Sequence, residues 1–172
     1  MSDTPSHPEG KSGYDHLRAQ KTIAEILEMA MSFEKSAQTY YNSLLDKVSK
    51  PLRAMVQELA EEEARHYASF LELKNNPSVQ EHINVRIQIP ASDHRFSDYI
   101  HLPELPEKPD DQSILQYALG REHTAMEQYQ ALSKEVPEGP LQDVFRFLAQ
   151  EELEHKKELE KRYYETVHSG GV

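Results

Sequence analysis

Leu59-Ala60-Glu61-Glu62-Glu63-Ala64-Arg65-His66 decides how the chain is read, because Glu63 and His66 are three residues apart on a predicted helix. Residues at that spacing share one helix face, one turn above the other. The face is otherwise apolar: Leu52, Met55, Leu59, Phe70 and Leu73 continue it at alternating steps of three and four. A carboxylate and an imidazole therefore stand where a helix in a bundle puts its core. Burying an unpaired carboxylate costs several kcal/mol or more, and a metal ion is the usual compensation.

The stretch has a twin. Leu148-Ala149-Gln150-Glu151-Glu152-Leu153-Glu154-His155 repeats Leu-Ala-x-x-Glu-x-x-His without a gap. Its Glu152 and His155 lie on the stripe Leu141, Phe145, Leu148 and Leu159. One such match in an acidic chain is unremarkable; two in register, each on an apolar stripe, point to a shared purpose.

The remaining elements follow from the same periodicity. The first predicted helix starts at Thr22, with Glu25 as a capping-box partner, and runs to about Val48. Its stripe is Ile23, Leu27, Ala30, Glu34, Ala37, Tyr41, Leu44 and Val48, so one glutamate interrupts an apolar face. Ser49-Lys50-Pro51 is a tight connection, which makes the first two helices antiparallel neighbours. The second helix runs to Lys74 and stops at Asn75-Asn76-Pro77. Asp110 or Asp111 caps the third helix, which carries Leu115, Ala118, Glu122, Ala125, Tyr129, Leu132 and Val136 to about Glu135. After the turn Pro137-Glu138-Gly139-Pro140, the fourth helix reaches about Val167.

The two halves are copies in pattern. Glu34, Ala37 and Tyr41 recur as Glu122, Ala125 and Tyr129 at identical spacing. Glu63 follows Glu34 by 29 residues and Glu152 follows Glu122 by 30. Each helix of about 24 residues is roughly 36 Å long, and the polar residues sit near the middle of all four. The expected fold is all-α, an antiparallel four-helix bundle with Glu34, Glu63, His66, Glu122, Glu152 and His155 converging at one level. Four carboxylates would balance two divalent cations. Oxygen and nitrogen donors without thiolate suit iron, manganese or zinc. Single glutamates from two helices with Glu-x-x-His from two others form the ligand pattern of di-iron and di-manganese carboxylate bundles.

Segment 75–110 differs in character. It holds five of the ten prolines and no helical period. Ile83, Val85, Ile87 and Ile89 alternate with polar residues, as a strand does. A single strand needs a partner, so this is either an extended crossover on the bundle, the favoured reading, or a strand pairing with a second subunit. Residues 1–20 are expected to be a flexible leader ahead of a bundle domain over 21–168, with 75–110 as its crossover.

Composition narrows the function classes. The 172 residues suffice for one domain with a real core. There is no cysteine, which removes disulfides, zinc knuckles, iron–sulfur clusters and thiol catalysis. A net charge of −11 argues against nucleic acid and anionic membranes as partners. The polar start, Met1 to Gly13, lacks the apolar centre of a signal peptide, so a cytoplasmic location is expected.

Over residues 22–168 the sequence resembles the ferritin-like superfamily, and most of all its rubrerythrin-type branch. The matching elements are Glu34 with Tyr41, Leu59 to His66, Glu122 with Tyr129, and Glu152 with His155. The resemblance implies a ferritin-like bundle with a long crossover between its second and third helices. It implies a non-haem diiron site reacting with hydrogen peroxide or dioxygen, often in a homodimer. Rubrerythrins usually carry a second glutamate three residues after the one on the third helix, where this chain has Ala125. They also carry a cysteine-rich rubredoxin-like domain, so electrons here are expected from a separate donor protein. Bacterioferritin shares the four-glutamate, two-histidine set, but its haem-binding methionine is replaced by Ala64, so no haem is expected. The leading reading is thus a diiron-carboxylate oxidoreductase of peroxidase or ferroxidase type. The alternatives are a non-catalytic metal-binding or iron-handling protein, and an interaction bundle with a structural metal.

Tyr41 and Tyr129 are either plain core aromatics or hydroxyl donors to the ligand carboxylates. His123 points about 100° away from Glu122 and is expected in solvent. Glu61, Glu62, Glu151 and Glu154 read as an ordinary acidic face. His7, His16, His82, His94, His101 and His168 fall outside the stripes.

Overall fold

The computed structural model describes residues 20–89 and 109–169. Most of the leader and the 90–108 part of the crossover lie outside the described residues. The elements are β1 (Gln20–Thr22), α1 (Ile23–Leu44), α2 (Lys50–Lys74), a single turn α3 (Pro77–Gln80), β2 (Arg86–Gln88), α4 (Asp111–Glu135) and α5 (Pro140–Ser169). The four long helices form a ferritin-like bundle built from two hairpins, α1 with α2 and α4 with α5.

The helix boundaries follow from local chemistry. Thr22 caps α1 as the sequence predicts: its hydroxyl accepts from the Glu25 amide at 3.2 Å, while the Glu25 carboxylate accepts from the Thr22 amide at 3.3 Å. Asp110 caps α4 through the Ser113 amide, 2.7 Å away. α1 ends at Leu44 rather than Val48, and a turn over 45–47 carries the chain to the Ser49 cap of α2. Between α4 and α5, Gly139 adopts φ +137°, a conformation that L side chains rarely tolerate.

The strand signal at 83–89 resolves in a way the sequence did not show. β2 pairs antiparallel with β1 of the same chain, in register Gln20↔Gln88, Lys21↔Ile87 and Thr22↔Arg86. Gln20, read as the end of the leader, is therefore the first residue of a strand. The ladder is short because the carbonyls of Val85 and Ile83 are used elsewhere. They accept from the Ile23 and Ala24 amides, both at 3.0 Å, and so satisfy the first free N–H groups of α1. The start of the crossover is thereby tied to the start of α1.

The apolar stripes form two core clusters, one on each side of the polar level. One joins Ile23 to Phe33 with Phe70, Leu73, Tyr129 and Phe145; the other joins Ala37 to Val48 with Leu52, Leu59, Leu115 and Leu159. The predicted polar residues of all four helices lie between them, shielded from water above and below.

Candidate metal centre

The interior of the bundle brings all six predicted residues together. They fall into two overlapping groups, each with its potential ligand atoms within 4.8 Å of one another. One group is Glu34, Glu63, His66 and Glu152; the other is Glu63, Glu122, Glu152 and His155. Glu63 and Glu152 belong to both and lie between the two. The four carboxylates are 0–3% exposed. His66 is equally buried, whereas the His155 side chain keeps 14% exposure.

Both histidines aim Nδ1 at the carboxylates. His66 Nδ1 lies 3.0 Å from Glu152, 3.4 Å from Glu63 and 3.6 Å from Glu34. His155 Nδ1 lies 3.5 Å from Glu152 and 3.6 Å from Glu122. The two rings are nearly parallel, 6.1 Å apart. Yet both Nδ1 atoms, Glu34 Oε2, Glu63 Oε1 and both Glu152 oxygens lack a well-formed hydrogen bond. Buried polar atoms are rarely left in that state. Convergent, close and misaligned for hydrogen bonding, these donors fit a pair of divalent cations.

The tyrosines settle on the donor side of their two alternatives. Tyr41, on the same helix as Glu34, donates to Glu122 on α4 at 2.6 Å. Tyr129, on the same helix as Glu122, donates to Glu34 on α1. Each hydroxyl fixes the carboxylate of the opposite half, and burial, followed by the neighbouring carboxylate charge, pushes both tyrosines well above their usual range.

Crowding sorts the carboxylates into two kinds. Burial lifts Glu63 well above the carboxylate range, reinforced by the charges of Glu152, Glu34 and Glu122. Burial and the Glu122 charge push Glu152 up to about 8. For Glu122, burial pulls upward but is outweighed by the close approach of Glu152 and His155 and the hydrogen bond from Tyr41, which bring it to about 2. Glu34 is likewise lowered against its burial, by Glu63, His66 and Tyr129. Burial favours neutral imidazoles, but the surrounding carboxylates win and raise His155 to about 11 and His66 well above its ordinary value. Without metal every shift works to reduce the charge of the cluster: Glu63 and Glu152 are driven toward the acid form and both histidines toward imidazolium, facing Glu34 and Glu122, which are held toward the ionised form.

Several neighbours were not legible in the sequence. Glu62 and Glu151, read as part of an acidic face, reach the outer nitrogens of His155 and His66. Arg121 is buried beside Glu122, donating to the Phe33 carbonyl at 3.0 Å and lying 4.7 Å over the Phe33 ring. It falls off the apolar stripe, and no spacing rule singles it out. His123 joins neither group and pairs with Glu127 at 3.0 Å on the flank of α4. A cleft of about 90 Å³, lined by Met55, Glu58, Leu59, Glu62, Glu158 and Leu159, has His155 in its wall. No helix among the described residues is long and apolar enough to cross a membrane.

No curated protein matches the chain. Among solved structures, a hypothetical protein from Pyrococcus furiosus is similar over 86% of this chain and 91% of its own, at 24% identity and TM-score 0.62. A dodecameric thioferritin from Bacteroides fragilis, described as bacterioferritin-related, covers 86% of this chain and 88% of its own at 20% identity and TM-score 0.64. At these identities the two establish the fold alone. The Rubrerythrin family model matches residues 25–93 and 113–168, a span that takes in all six clustered residues and both tyrosines. The chain belongs to the rubrerythrin family, within the ferritin-like superfamily.

Proposed function

We propose that the protein holds two divalent metal ions, iron in the leading reading, and is a non-haem diiron-carboxylate oxidoreductase reacting with hydrogen peroxide or dioxygen. The observation that carries the reading is the convergence of buried carboxylates and imidazole Nδ1 atoms that lack well-formed hydrogen bonds. Glu34 with His66 would hold one ion and Glu122 with His155 the other, with Glu63 and Glu152 shared. Bound iron would supply the electrons that reduce the oxygen substrate. Manganese and zinc suit the same donors, and only a redox-active metal serves that chemistry.

The chain's own residues prepare the site for this work. The Tyr41 and Tyr129 hydroxyls hold Glu122 and Glu34 in place. The apolar clusters above and below keep water away from the polar level. The proton held on Glu152 is displaced as cations arrive. The cleft at His155 offers the approach for small solutes. A separate protein would donate electrons, and a homodimer remains the expected assembly from the family resemblance.

The second reading, a non-catalytic metal-binding or iron-handling protein, is favoured by one observation. Ala125 stands where rubrerythrins usually place a further glutamate, and it is packed into the apolar core. The two readings separate on one experiment. Anaerobic loading with two equivalents of Fe(II), then a pulse of peroxide, is expected to raise near-ultraviolet ferric absorption within the mixing time of a stopped-flow instrument. Oxidation no faster than that of free Fe(II) would favour the non-catalytic reading.

A further inference from the structure

The position just before the unshared glutamate differs in kind between the two halves. It is Phe33 ahead of Glu34 on α1 and Arg121 ahead of Glu122 on α4. The two side chains meet. The Arg121 guanidinium lies 4.7 Å over the Phe33 ring, and it donates to the Phe33 carbonyl at 3.0 Å and to the Ser36 hydroxyl at 3.4 Å. The carbonyl lies inside α1 and has a second lone pair to offer. Phe33 and Ser36 are three residues apart, so one planar fork grips one turn of α1 at the level of Glu34. All three residues are buried, Arg121 to 1% exposure.

Burying a guanidinium is costly, and an apolar side chain of similar volume commonly fills such a place with equal or better stability. Packing alone therefore gives no reason for an arginine here; direction does. Two donors fixed in one plane hold both the rotation and the axial slide of α1 against α4. The tyrosine hydroxyls cross the same seam, Tyr41 to Glu122 at 2.6 Å and Tyr129 to Glu34. A slide of one helix past the other would pull both hydroxyls off their carboxylates. We propose that Arg121 is a positioning residue of the metal centre, a register pin that locks α1 to α4 so that Glu34 and Glu122 face their ions together. The inference rests on the two-ion reading above and adds to it a residue outside the ligand set.

The plainer reading is a buried arginine that only fills and joins the seam. Two observations favour the pin. Its contacts fall beside the two unshared ligands rather than at a bundle end. By contrast, Ser49 donates to Asp111 at 2.6 Å, a tie between the halves about three turns before Glu122. The guanidinium charge also reaches the Tyr41 hydroxyl, where it offsets part of the upward push from burial and from the Glu122 and Glu63 charges.

Titration of the full chain with Co(II) and with Zn(II) tests the inference, because neither needs turnover and Co(II) absorption reports coordination geometry. Arg121→Met fills the space without donors. Arg121→Lys keeps the charge but not the fork, and Ser36→Ala removes one of the two acceptors. Leu141→Ala, in the apolar core away from the ligands, is the control for lost packing. Wild type is expected to bind two ions of either metal. Arg121→Met should weaken both by about 10–100-fold and alter the Co(II) bands. Arg121→Lys should fall between, and Ser36→Ala should show a smaller loss. Leu141→Ala should lower the melting temperature and keep both affinities, which separates lost stability from lost register. A purely structural arginine would give Arg121→Met that same pattern, a lower melting temperature with unchanged affinities and bands. That result would overturn the pin while leaving the metal centre standing. If Arg121→Met does not fold, Arg121→Lys and Ser36→Ala decide: unchanged affinities and bands in both would overturn the pin in the same way. A wild-type chain that binds no Co(II), Zn(II) or Fe(II) would overturn both readings.

Discussion

Replacing Glu152 with glutamine is expected to abolish binding of both ions, whereas Glu34→Gln or Glu122→Gln abolishes only one. The difference comes from position. Glu63 and Glu152 belong to both ligand groups, while Glu34 and Glu122 each belong to one. A shared carboxylate neutralises and ties together two cations, so its loss removes charge from both sites at once. Changing a residue outside the ligand set typically weakens such a site 10–100-fold, and a shared ligand should cost more than about 100-fold at each ion. Glu152→Gln should also stabilise the metal-free fold at alkaline pH. There the wild type must ionise a fully buried carboxyl whose neighbours hold it at about 8, and the amide need not. Metal titration followed calorimetrically, with melting curves of the metal-free variants at pH 9, reads both effects. A Glu152→Gln protein that still bound two ions would rule out the shared ligand.

The second large effect is in protons. At pH 7 the metal-free cluster holds protons on Glu152, His66 and His155, raised above neutrality by burial or by surrounding carboxylates, and Glu63 is driven in the same direction by its burial. Cations bind the deprotonated forms. Loading two ions should therefore release about three protons per chain or more, measurable by titration in buffers of different ionisation enthalpy. Metal affinity should climb steeply from pH 6 to pH 8. Stability of the metal-free protein should move the opposite way. Glu152 ionises near 4.5 when unfolded and near 8 when folded, so its contribution is full below 4.5 and is lost as pH rises through 8. His155 acts in the same sense: its contribution is full below 6.5 and is lost as pH rises through about 11. Glu122 opposes them, with a contribution present above 4.5 and lost as pH falls toward 2. The metal-free protein should therefore melt lower at pH 9 than at pH 5, and the loaded protein should not. A release of fewer than two protons, or a flat metal-free profile, would contradict this charge state.

The bundle and its six clustered residues could be read from the chain because one periodicity encodes both. The four-three spacing that places Leu59 and Phe70 in the core also places Glu63 and His66 there. The duplicated half then repeats the statement with Glu152 and His155. The strand partner was harder to read. β1 is three polar residues with no alternation of its own, and its pairing is set by where the returning chain caps α1. Glu62 and Glu151 were hidden for a different reason. Each sits one residue, about 100°, from the core stripe, inside a run of acids that looks like solvated surface. Only the placement of the opposing helix shows that these two, and not Glu61 or Glu154, reach an imidazole. Buried Arg121 has the same character: its partners include a carbonyl, a hydroxyl and a ring on α1, none marked by spacing.

The central claim is that the four helices enclose a pair of ions. Its most direct test is an anomalous difference map, recorded on either side of the iron edge, from crystals of the Fe(II)-loaded protein. The account predicts two peaks roughly 3.5–4 Å apart, both flanked by Glu63 and Glu152, one beside His66 Nδ1 and the other beside His155 Nδ1. Peaks confined to the exposed acidic faces, or none in the bundle interior, would contradict it.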